Sequence, residues 1–212
     1  MLSEDMKDGV CYVVGAADFN CGFDVADGGF VIAADGGYDR LLSLGIKPNL
    51  LMGDFDSVTA KIPSDIELLR FKAEKDETDM HLAFLEGMKR GYRVFRFYGG
   101  CGGREDHTFA NYALLLYARR AGADARLVSD NGEAFVIENE SVKIDNGKWR
   151  GVSVFALGSD AENVNISGLK YEACGATLKA DFPLGVSNSF CGNDAFISVE
   201  RGALLVMLRN SH

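Results

Sequence analysis

Continuous apolar runs alternate with helical patterns along the first 130 residues. The runs at residues 10–16 and 30–35, VCYVVGA and FVIAAD, are typical of strands buried on both faces of a parallel sheet. Further strands are predicted at residues 49–53, 65–71, 92–100 and 125–130, and helices at residues 37–45, 79–90 and 107–122. Strand–helix alternation of this kind predicts a mostly parallel, Rossmann-like, doubly wound α/β domain.

The second predicted helix has a clear start and a clear apolar face. Thr78 is a suitable N-cap residue, because its hydroxyl can accept a hydrogen bond from a free N–H of the first turn. Met80, Ala83, Phe84 and Met88 then recur at helical spacing, which places them on one side of the helix. We expect this side to pack against the sheet.

The pattern changes after about residue 131. Short alternating segments follow one another, separated by Gly, Asn and Asp, and no helix of comparable length is predicted. The predicted strands lie within residues 133–139, 141–147, 151–158, 163–169 and 195–209. In the last of these, the ERG at residues 200–202 is predicted to form a hairpin turn. We therefore expect an α/β domain at residues 1–131 and an all-β carboxyl-terminal sandwich at residues 132–212.

Composition narrows the classes of function. The formal charge is −9 for 212 residues, which disfavours binding to a nucleic-acid backbone. The five cysteines are scattered and form no CxxC, so we expect reduced thiols in a cytoplasmic protein, without a zinc site and with the cysteines as small packing residues. The amino-terminal residues resemble no signal peptide, and no run of eighteen apolar residues predicts a membrane span.

Four polar clusters each follow a predicted strand, at residues 35–37, 54–57, 74–79 and 99–107. Because the carboxyl ends of parallel strands share one edge of a sheet, these clusters are expected to converge there. Single aspartates after strands are often only caps or turn residues. Capping does not explain a set of five carboxylates on one edge, namely Asp54, Asp56, Asp76, Asp79 and Asp106. Their mutual repulsion would be relieved by a hard divalent cation such as Mg²⁺, which usually accompanies phosphates.

The glycine-rich segment GGCGGRED at residues 99–106 favours phosphate binding. Its glycines allow backbone N–H groups to approach an anion, and Arg104 offers a planar guanidinium for phosphate oxygens. Neither a Walker A motif nor a GxGxxG between a strand and a helix is present. His107 is either a general base or a residue that caps the following helix, while His81 is expected on the surface and Trp149 in a core.

The motifs GDFDS, KDETD and GGREDHTFAN, with ADGG before them and GVSNSF in the β region, resemble the thiamine pyrophosphokinase family. They span residues 34–190 in the family's order. The resemblance implies an amino-terminal α/β domain, a carboxyl-terminal β-sandwich and a homodimer with active sites at the subunit interface. It also implies that Mg²⁺ and ATP are used to convert thiamine into thiamine diphosphate, with AMP as the second product.

The resemblance carries over to individual residues. Its expected catalytic residues are Asp54, Asp56, Asp79, Arg104 and Asp106, and its expected metal ligands are Asp54, Asp56, Asp79 and Asp106. The residues expected to bind ATP or thiamine are Asp35, Asp76, Thr78, Arg104, His107, Asn111, Ser187 and Asn188. Ser189 departs from the acidic or bulkier residue frequent in the family. No tryptophan lies nearby, which leaves Phe190 as a candidate partner for the thiamine rings.

In the implied reaction the thiamine hydroxyl attacks the β-phosphorus of ATP, and either Asp79 or Asp106 accepts the proton. Positioning and charge neutralisation would supply most of the catalysis. Two other functions use the same cleft, a metal-dependent phosphohydrolase and a non-catalytic sensor of nucleotide or thiamine. Phosphate release without thiamine would favour the hydrolase, and binding of both ligands without AMP formation would favour the sensor.

Overall fold

The computed structural model describes residues 6–71 and 76–210, which fall into two compact units. The first unit comprises the chain up to Leu114 together with Ala121–Ser129, and the second comprises Leu115–Arg120 and the chain from Asp130. The domain boundary between residues 131 and 132 stays a prediction. No helix among the described residues is both long and apolar enough to cross a membrane.

Among the described residues, six parallel strands and three helices build the first unit. The strands are β1 (Val10–Val14), β2 (Phe30–Ala34), β3 (Leu50–Gly53), β4 (Glu67–Arg70), β5 (Val94–Tyr98) and β6 (Asp124–Ser129). The helices are α1 (Gly37–Ser43), α2 (Asp79–Lys89) and α3 (Glu105–Arg120), whose last six residues are grouped with the second unit. The predicted α/β class is thereby confirmed, and α3 begins two residues before the predicted start at His107.

The strand order β4-β3-β2-β1-β5-β6 determines where a ligand can bind. All five pairings are parallel. From β1 the chain proceeds outward through β2, β3 and β4, and then returns to the other side of β1 with β5. This reversal makes the gap beyond the carboxyl ends of β1 and β5 a topological switch point, where open α/β sheets bind ligands.

Helix α1 lies very close to the sheet because of a glycine. A Cβ added to Gly37 would lie 1.9 Å from the carbonyl oxygen of Val14, a distance that no side chain tolerates. Helix α2 begins as predicted, with the Thr78 hydroxyl accepting a hydrogen bond from the His81 N–H at 3.2 Å. Its buried face consists of Met80, Ala83, Phe84 and Gly87, so the fourth position is Gly87 rather than the predicted Met88.

The described part of the second unit contains seven strands in two antiparallel sheets. They are β7 (Gly132–Glu138), β8 (Ser141–Ile144), β9 (Gly151–Ala156), β10 (Ala161–Ser167), β11 (Ala173–Leu178), β12 (Ala195–Ser198) and β13 (Ala203–Arg209). One sheet has β13 between β7 and β9, and the other has the order β11-β10-β12-β8. The predicted all-β class is confirmed, and Trp149 is buried in this unit's core as expected.

The predicted hairpin at residues 200–202 is wrong. Strands β12 and β13 belong to different sheets, because β12 pairs with β10 and β8 whereas β13 pairs with β7 and β9. Between them, the backbone of Arg201 pairs with that of Glu162. The short polar segment therefore transfers the chain from one sheet to the other, although its composition is the same as that of a tight turn.

Three further expectations need correction. Strand β11 has no predicted counterpart, because its residues are small or polar and its pairing with β10 is irregular. The cysteines are free, but they are not all packing residues: Cys11 is buried, whereas Cys174 and Cys191 are exposed. His81, expected on the surface, is half-buried, and burial lowers its pKa.

Asp39 of α1 holds the loop that follows β3 through three hydrogen bonds. The carboxylate of Asp39 accepts hydrogen bonds from the N–H and hydroxyl of Thr59, both at 2.8 Å, and from the N–H of Ala60 at 2.9 Å. Partial desolvation opposes the charged form of Asp39, but these three bonds outweigh it and place its pKa below the ordinary value.

We predict that Asp39→Asn lowers the free energy of unfolding by about 1 kcal/mol at pH 7, because the bonds to a charged acceptor are weakened. A depressed folded-state pKa gives stability that is present above the unfolded pKa and is lost as pH falls through the folded value. The difference between variant and wild type should therefore shrink below about pH 4. Urea unfolding between pH 7 and pH 3 measures it, with Asp27→Asn, a change at an exposed loop residue, as control. A difference in unfolding free energy between variant and wild type that grows on acidification would contradict this role of Asp39.

Candidate active site

A cavity of about 440 Å³ lies in the first unit at the switch point between β1 and β5. Its walls come from the segments after β1, β2, β3 and β5 and from the starts of α2 and α3. The predicted site residues that line it are Asp35, Thr78, Asp79, Arg104, His107 and Asn111. Sequence analysis missed the wall formed by Gly15, Ala16 and Ala17, because small residues after a strand carry no chemical signal.

Three carboxylates form a tight cluster beside this cavity. One oxygen each from Asp35, Asp54 and Asp56 lies within 4.8 Å of the others, and we refer to these three residues as the carboxylate cluster. Asp54 and Asp56 were predicted as metal ligands, whereas Asp35 was predicted only to bind a ligand. The structure thus brings together loops that follow β2 and β3.

Hydrogen bonds fix the orientation of Asp35. Its Oδ1 accepts from the N–H of Phe55 at 3.2 Å, and its Oδ2 accepts from the hydroxyl of Ser57. Asp35 itself has a left-handed backbone, with φ of 48°. Gly53 has φ of 148°, and a Cβ there would lie 3.0 Å from Asp35 Oδ1, so a side chain at this position would disturb the cluster. The glycine before Asp54 is therefore part of the site's construction.

Repulsion within the carboxylate cluster disfavours the charged form of Asp56. The charge of Asp54 raises the pKa of Asp56 above its ordinary value, and the charges of Asp35 and Asp79 contribute in the same direction. Clustered carboxylate oxygens are the donors that Mg²⁺ prefers, so this set fits a hard divalent cation. Asp79 lines the cavity and extends the same negative field.

Arg104 and Asp106 form an ion pair at the mouth of the cavity. Arg104 donates two hydrogen bonds to the Asp106 carboxylate, at 3.1 and 2.5 Å. These bonds, with a further one from the His107 N–H, lower the pKa of Asp106. Asp106 was predicted as a metal ligand. In this structure its carboxylate binds Arg104 instead, and it lies outside the carboxylate cluster.

The remaining predicted residues of this unit have different surroundings. Asn111 is buried and donates a hydrogen bond to the carbonyl of Gly100 at 2.8 Å, which holds the glycine-rich segment against α3. His107 is exposed in the first turn of α3 and lines the cavity, while its predicted roles as base or cap stay open. Asp76 is exposed and is not among the described residues that line the cavity.

The two site residues predicted in the second unit, Ser187 and Asn188, differ in burial. Ser187 is exposed, with a left-handed backbone at φ of 59°. Asn188 is buried, and its side chain accepts from the N–H of Tyr171 at 2.9 Å and donates to the carbonyl of Tyr171 at 2.6 Å. Asn188 therefore ties down a neighbouring loop. Tyr171 is 64% exposed, whereas Phe190, the expected ring partner, is half-buried and packs against the core.

Comparison with known proteins gives a consistent result. Two family models match the chain: thiamin pyrophosphokinase, catalytic domain, over residues 25–127, and thiamin pyrophosphokinase, vitamin B1 binding domain, over residues 139–204. The thiamine pyrophosphokinase of Bacillus subtilis (strain 168) is 28% identical over 187 residues, which cover 85% of this chain and 86% of that protein.

Solved structures share the fold. The crystal structure of the Bacillus subtilis thiamine pyrophosphokinase has a TM-score of 0.86 at 23% identity and covers 97% of this chain and 100% of its own. That of the Geobacillus thermodenitrificans thiamin pyrophosphokinase has a TM-score of 0.80 at 23% identity, covering 95% and 98%. The thiamin pyrophosphokinase from Candida albicans has a TM-score of 0.77 at 14% identity, covering 95% and 90%.

We predict that Asp54→Asn raises the thermal stability of the protein in the presence of EDTA. In the wild type, Asp54 Oδ1 accepts a hydrogen bond from the Asp56 N–H at 3.1 Å, and the amide oxygen of asparagine can keep this bond. The substitution removes one of the three charges that repel each other in the carboxylate cluster. The gain should diminish at high salt, because ionic screening weakens the repulsion in the wild type. Thermal unfolding at low and high ionic strength measures this. An Asp54→Asn variant less stable than wild type at low salt would contradict a strained cluster.

Proposed function

Because the chain belongs to the thiamin pyrophosphokinase family, we propose that it transfers the pyrophosphoryl group of ATP to the hydroxyl of thiamine, giving thiamine diphosphate and AMP. The observation that carries this proposal is the convergence of the carboxylate cluster, Arg104 and the glycine-rich segment around one cavity. Such a site suits a metal-bound polyphosphate better than any uncharged ligand.

Mg²⁺ would be held by the carboxylate cluster, Asp35, Asp54 and Asp56, with Asp79 close to it. When bound, the cation neutralises negative charge on the phosphate oxygens. The cavity volume of about 440 Å³ lies within the range of small-ligand sites. The fit rests on the three converging carboxylates, because a protein without a cation to bind gains nothing from their repulsion.

Residues of this chain would then position the triphosphate. Backbone N–H groups at the glycines of this segment would approach the phosphates closely, since no side chains at those positions shield them. Arg104 would bind phosphate oxygens by exchanging the carboxylate of Asp106 for them. The small residues Gly15, Ala16 and Ala17, which lie beside the glycine-rich segment, would leave space for the rest of the nucleotide.

Asp79 is the better candidate to accept the proton of the thiamine hydroxyl. Asp106 is not among the described residues that line the cavity, and without a bound phosphate its carboxylate is paired with Arg104. Asp79 is half-buried at the start of α2 and lines the cavity. Asp79→Asn should therefore impair turnover more than binding.

Thiamine recognition is proposed for the second unit, where Ser187 and Asn188 lie in the matched vitamin B1 binding region. Asn188 would act by fixing the loop of Tyr171, and the exposed ring of Tyr171 offers an apolar face for the thiazolium or pyrimidine. We further propose a homodimer with its active sites at the subunit interface and a cytoplasmic location. Exposed apolar side chains at Phe182, Leu184 and Val186 support association, and the free cysteines support a reducing compartment.

The first test mixes the protein with Mg²⁺, ATP and thiamine and uses chromatography to measure the AMP and thiamine diphosphate that form. AMP and thiamine diphosphate should appear in equal amounts, and EDTA should abolish both. Asp54→Asn should lower turnover at least about a hundredfold, because the cation loses a charged ligand. Near-normal AMP release by this variant would contradict its role.

The controls separate the other two functions. Phosphate release from ATP without thiamine would replace the transferase by a phosphohydrolase. Binding of both ATP and thiamine, measured by calorimetry, with no AMP formed would replace it by a sensor. Asp27→Asn, an exposed change outside the described cavity lining, serves as the matched carboxylate control and should retain full turnover.

A second test concerns the ion pair of Arg104 and Asp106. Arg104→Gln should raise KM for ATP about tenfold, because a charged hydrogen-bond donor to the phosphates is lost. Asp106→Asn frees Arg104 and removes no member of the carboxylate cluster, so Mn²⁺ affinity, measured by electron paramagnetic resonance, should stay unchanged. A marked loss of Mn²⁺ affinity in Asp106→Asn would instead make Asp106 a metal ligand.

A further inference from the structure

Phe55 has an unusual backbone conformation within the loop that carries two residues of the carboxylate cluster. It lies between Asp54 and Asp56, and its φ is +69°, in the left-handed region. A bulky residue seldom adopts this conformation, which costs on the order of 1–3 kcal/mol unless surrounding contacts hold it. The loop could have used glycine here, as the chain does at many other positive-φ positions. The phenyl ring must therefore contribute something that glycine lacks.

Three contacts hold Phe55 in place. Its N–H donates to Asp35 Oδ1 at 3.2 Å. Its ring is half-buried against the core of the first unit. The guanidinium carbon of Arg70 lies 4.9 Å from the centre of the ring, a cation–π contact. The backbone of Arg70 is fixed by strand pairing, because it lies opposite Gly53 in the register of β3 and β4, and its side chain is exposed.

The left-handed turn explains how the two aspartates meet. In an extended chain, residues two apart are separated by about 6.6 Å along the strand. A left-handed residue between them tightens the backbone, and the Asp56 N–H donates to Asp54 Oδ1 at 3.1 Å. Oxygens of both side chains consequently fall within 4.8 Å of each other and of Asp35. The conformation of Phe55 is thus coupled to the geometry of the carboxylate cluster.

We propose that Phe55 and Arg70 form a positioning pair: Arg70 holds the Phe55 ring, and the ring locks the left-handed backbone that preorganises the carboxylate cluster for a divalent cation. The inference rests on the metal-binding role proposed for the cluster. Phe55 and Arg70 touch no substrate in this scheme. They act through Asp54 and Asp56, and their contribution is the affinity for the metal.

The order of affinities among variants distinguishes this role from simple packing. Alanine at position 55 removes the ring and resists φ of +69°, whereas glycine removes the ring but adopts that φ without strain. If the left-handed backbone sets metal affinity, Phe55→Gly should bind the cation better than Phe55→Ala. Phe55→Tyr keeps the ring and should match the wild type. A residue that serves only as core packing gives no advantage to glycine over alanine in metal affinity.

Mn²⁺ titration followed by electron paramagnetic resonance is the test, with thermal unfolding of each metal-free variant to verify folding. Phe55→Ala should weaken Mn²⁺ binding about tenfold, with Phe55→Gly between it and the wild type. Arg70→Met should weaken it about threefold, and Arg70→Lys, which retains a cation over the ring, should restore part of the loss. Arg150→Met, an exposed loss of the same charge in the second unit, should leave the affinity unchanged.

The outcomes separate this inference from the proposed function. If wild type and Asp54→Asn bind Mn²⁺ alike, the cluster is not a metal site and both proposals fail. If Asp54→Asn loses Mn²⁺ while Phe55→Ala retains wild-type affinity, only the positioning pair is refuted. Phe55→Gly binding no better than Phe55→Ala, or Arg150→Met losing as much as Arg70→Met, would also overturn it.

Discussion

Electrostatic repulsion between carboxylates is the constraint on which the amino-terminal site depends. Negative charges from Asp35, Asp54 and Asp56 are confined to within 4.8 Å, and their proximity raises the pKa of Asp56. A divalent cation bound among them would neutralise this repulsion. Much of the surrounding structure counteracts this repulsion: the N–H of Phe55 and the hydroxyl of Ser57 both donate to Asp35.

The sheet supplies the rigid frame for this arrangement. Asp35 follows β2 and Asp54 follows β3, and these strands pair in parallel, so their ends are adjacent by construction. The reversal of strand order between β1 and β5 then opens a cavity next to the same edge. The chemistry is placed on loops, but the spacing of the loops is set by hydrogen-bonded strands whose side chains are almost wholly buried. Activity can therefore depend on loop details without weakening the fold.

Sequence patterns sufficed for β1, β2 and β3, because strands buried on both faces are continuous apolar runs. They also sufficed to place Asp54, Asp56, Asp79 and Arg104 at one edge. They could not show that Asp106 pairs with Arg104 and lies outside the carboxylate cluster, since this depends on side-chain geometry within a single turn, and its role as a metal ligand stays a prediction. The path of residues 199–202 between two sheets was equally hidden, because a crossing and a hairpin use the same polar residues.

The pairing of Arg104 with Asp106 has a consequence for selectivity. A guanidinium that already binds an internal carboxylate through two of its five N–H groups offers a stray anion fewer donors, unless the anion displaces the tethered carboxylate. A small anion with few other anchors gains little from that exchange. A polyphosphate gripped elsewhere by a cation and by backbone amides makes the exchange within one bound complex, where the effective concentration is high. With the phosphate-binding role proposed for Arg104, the internal ion pair would therefore favour long, multiply anchored ligands over short ones.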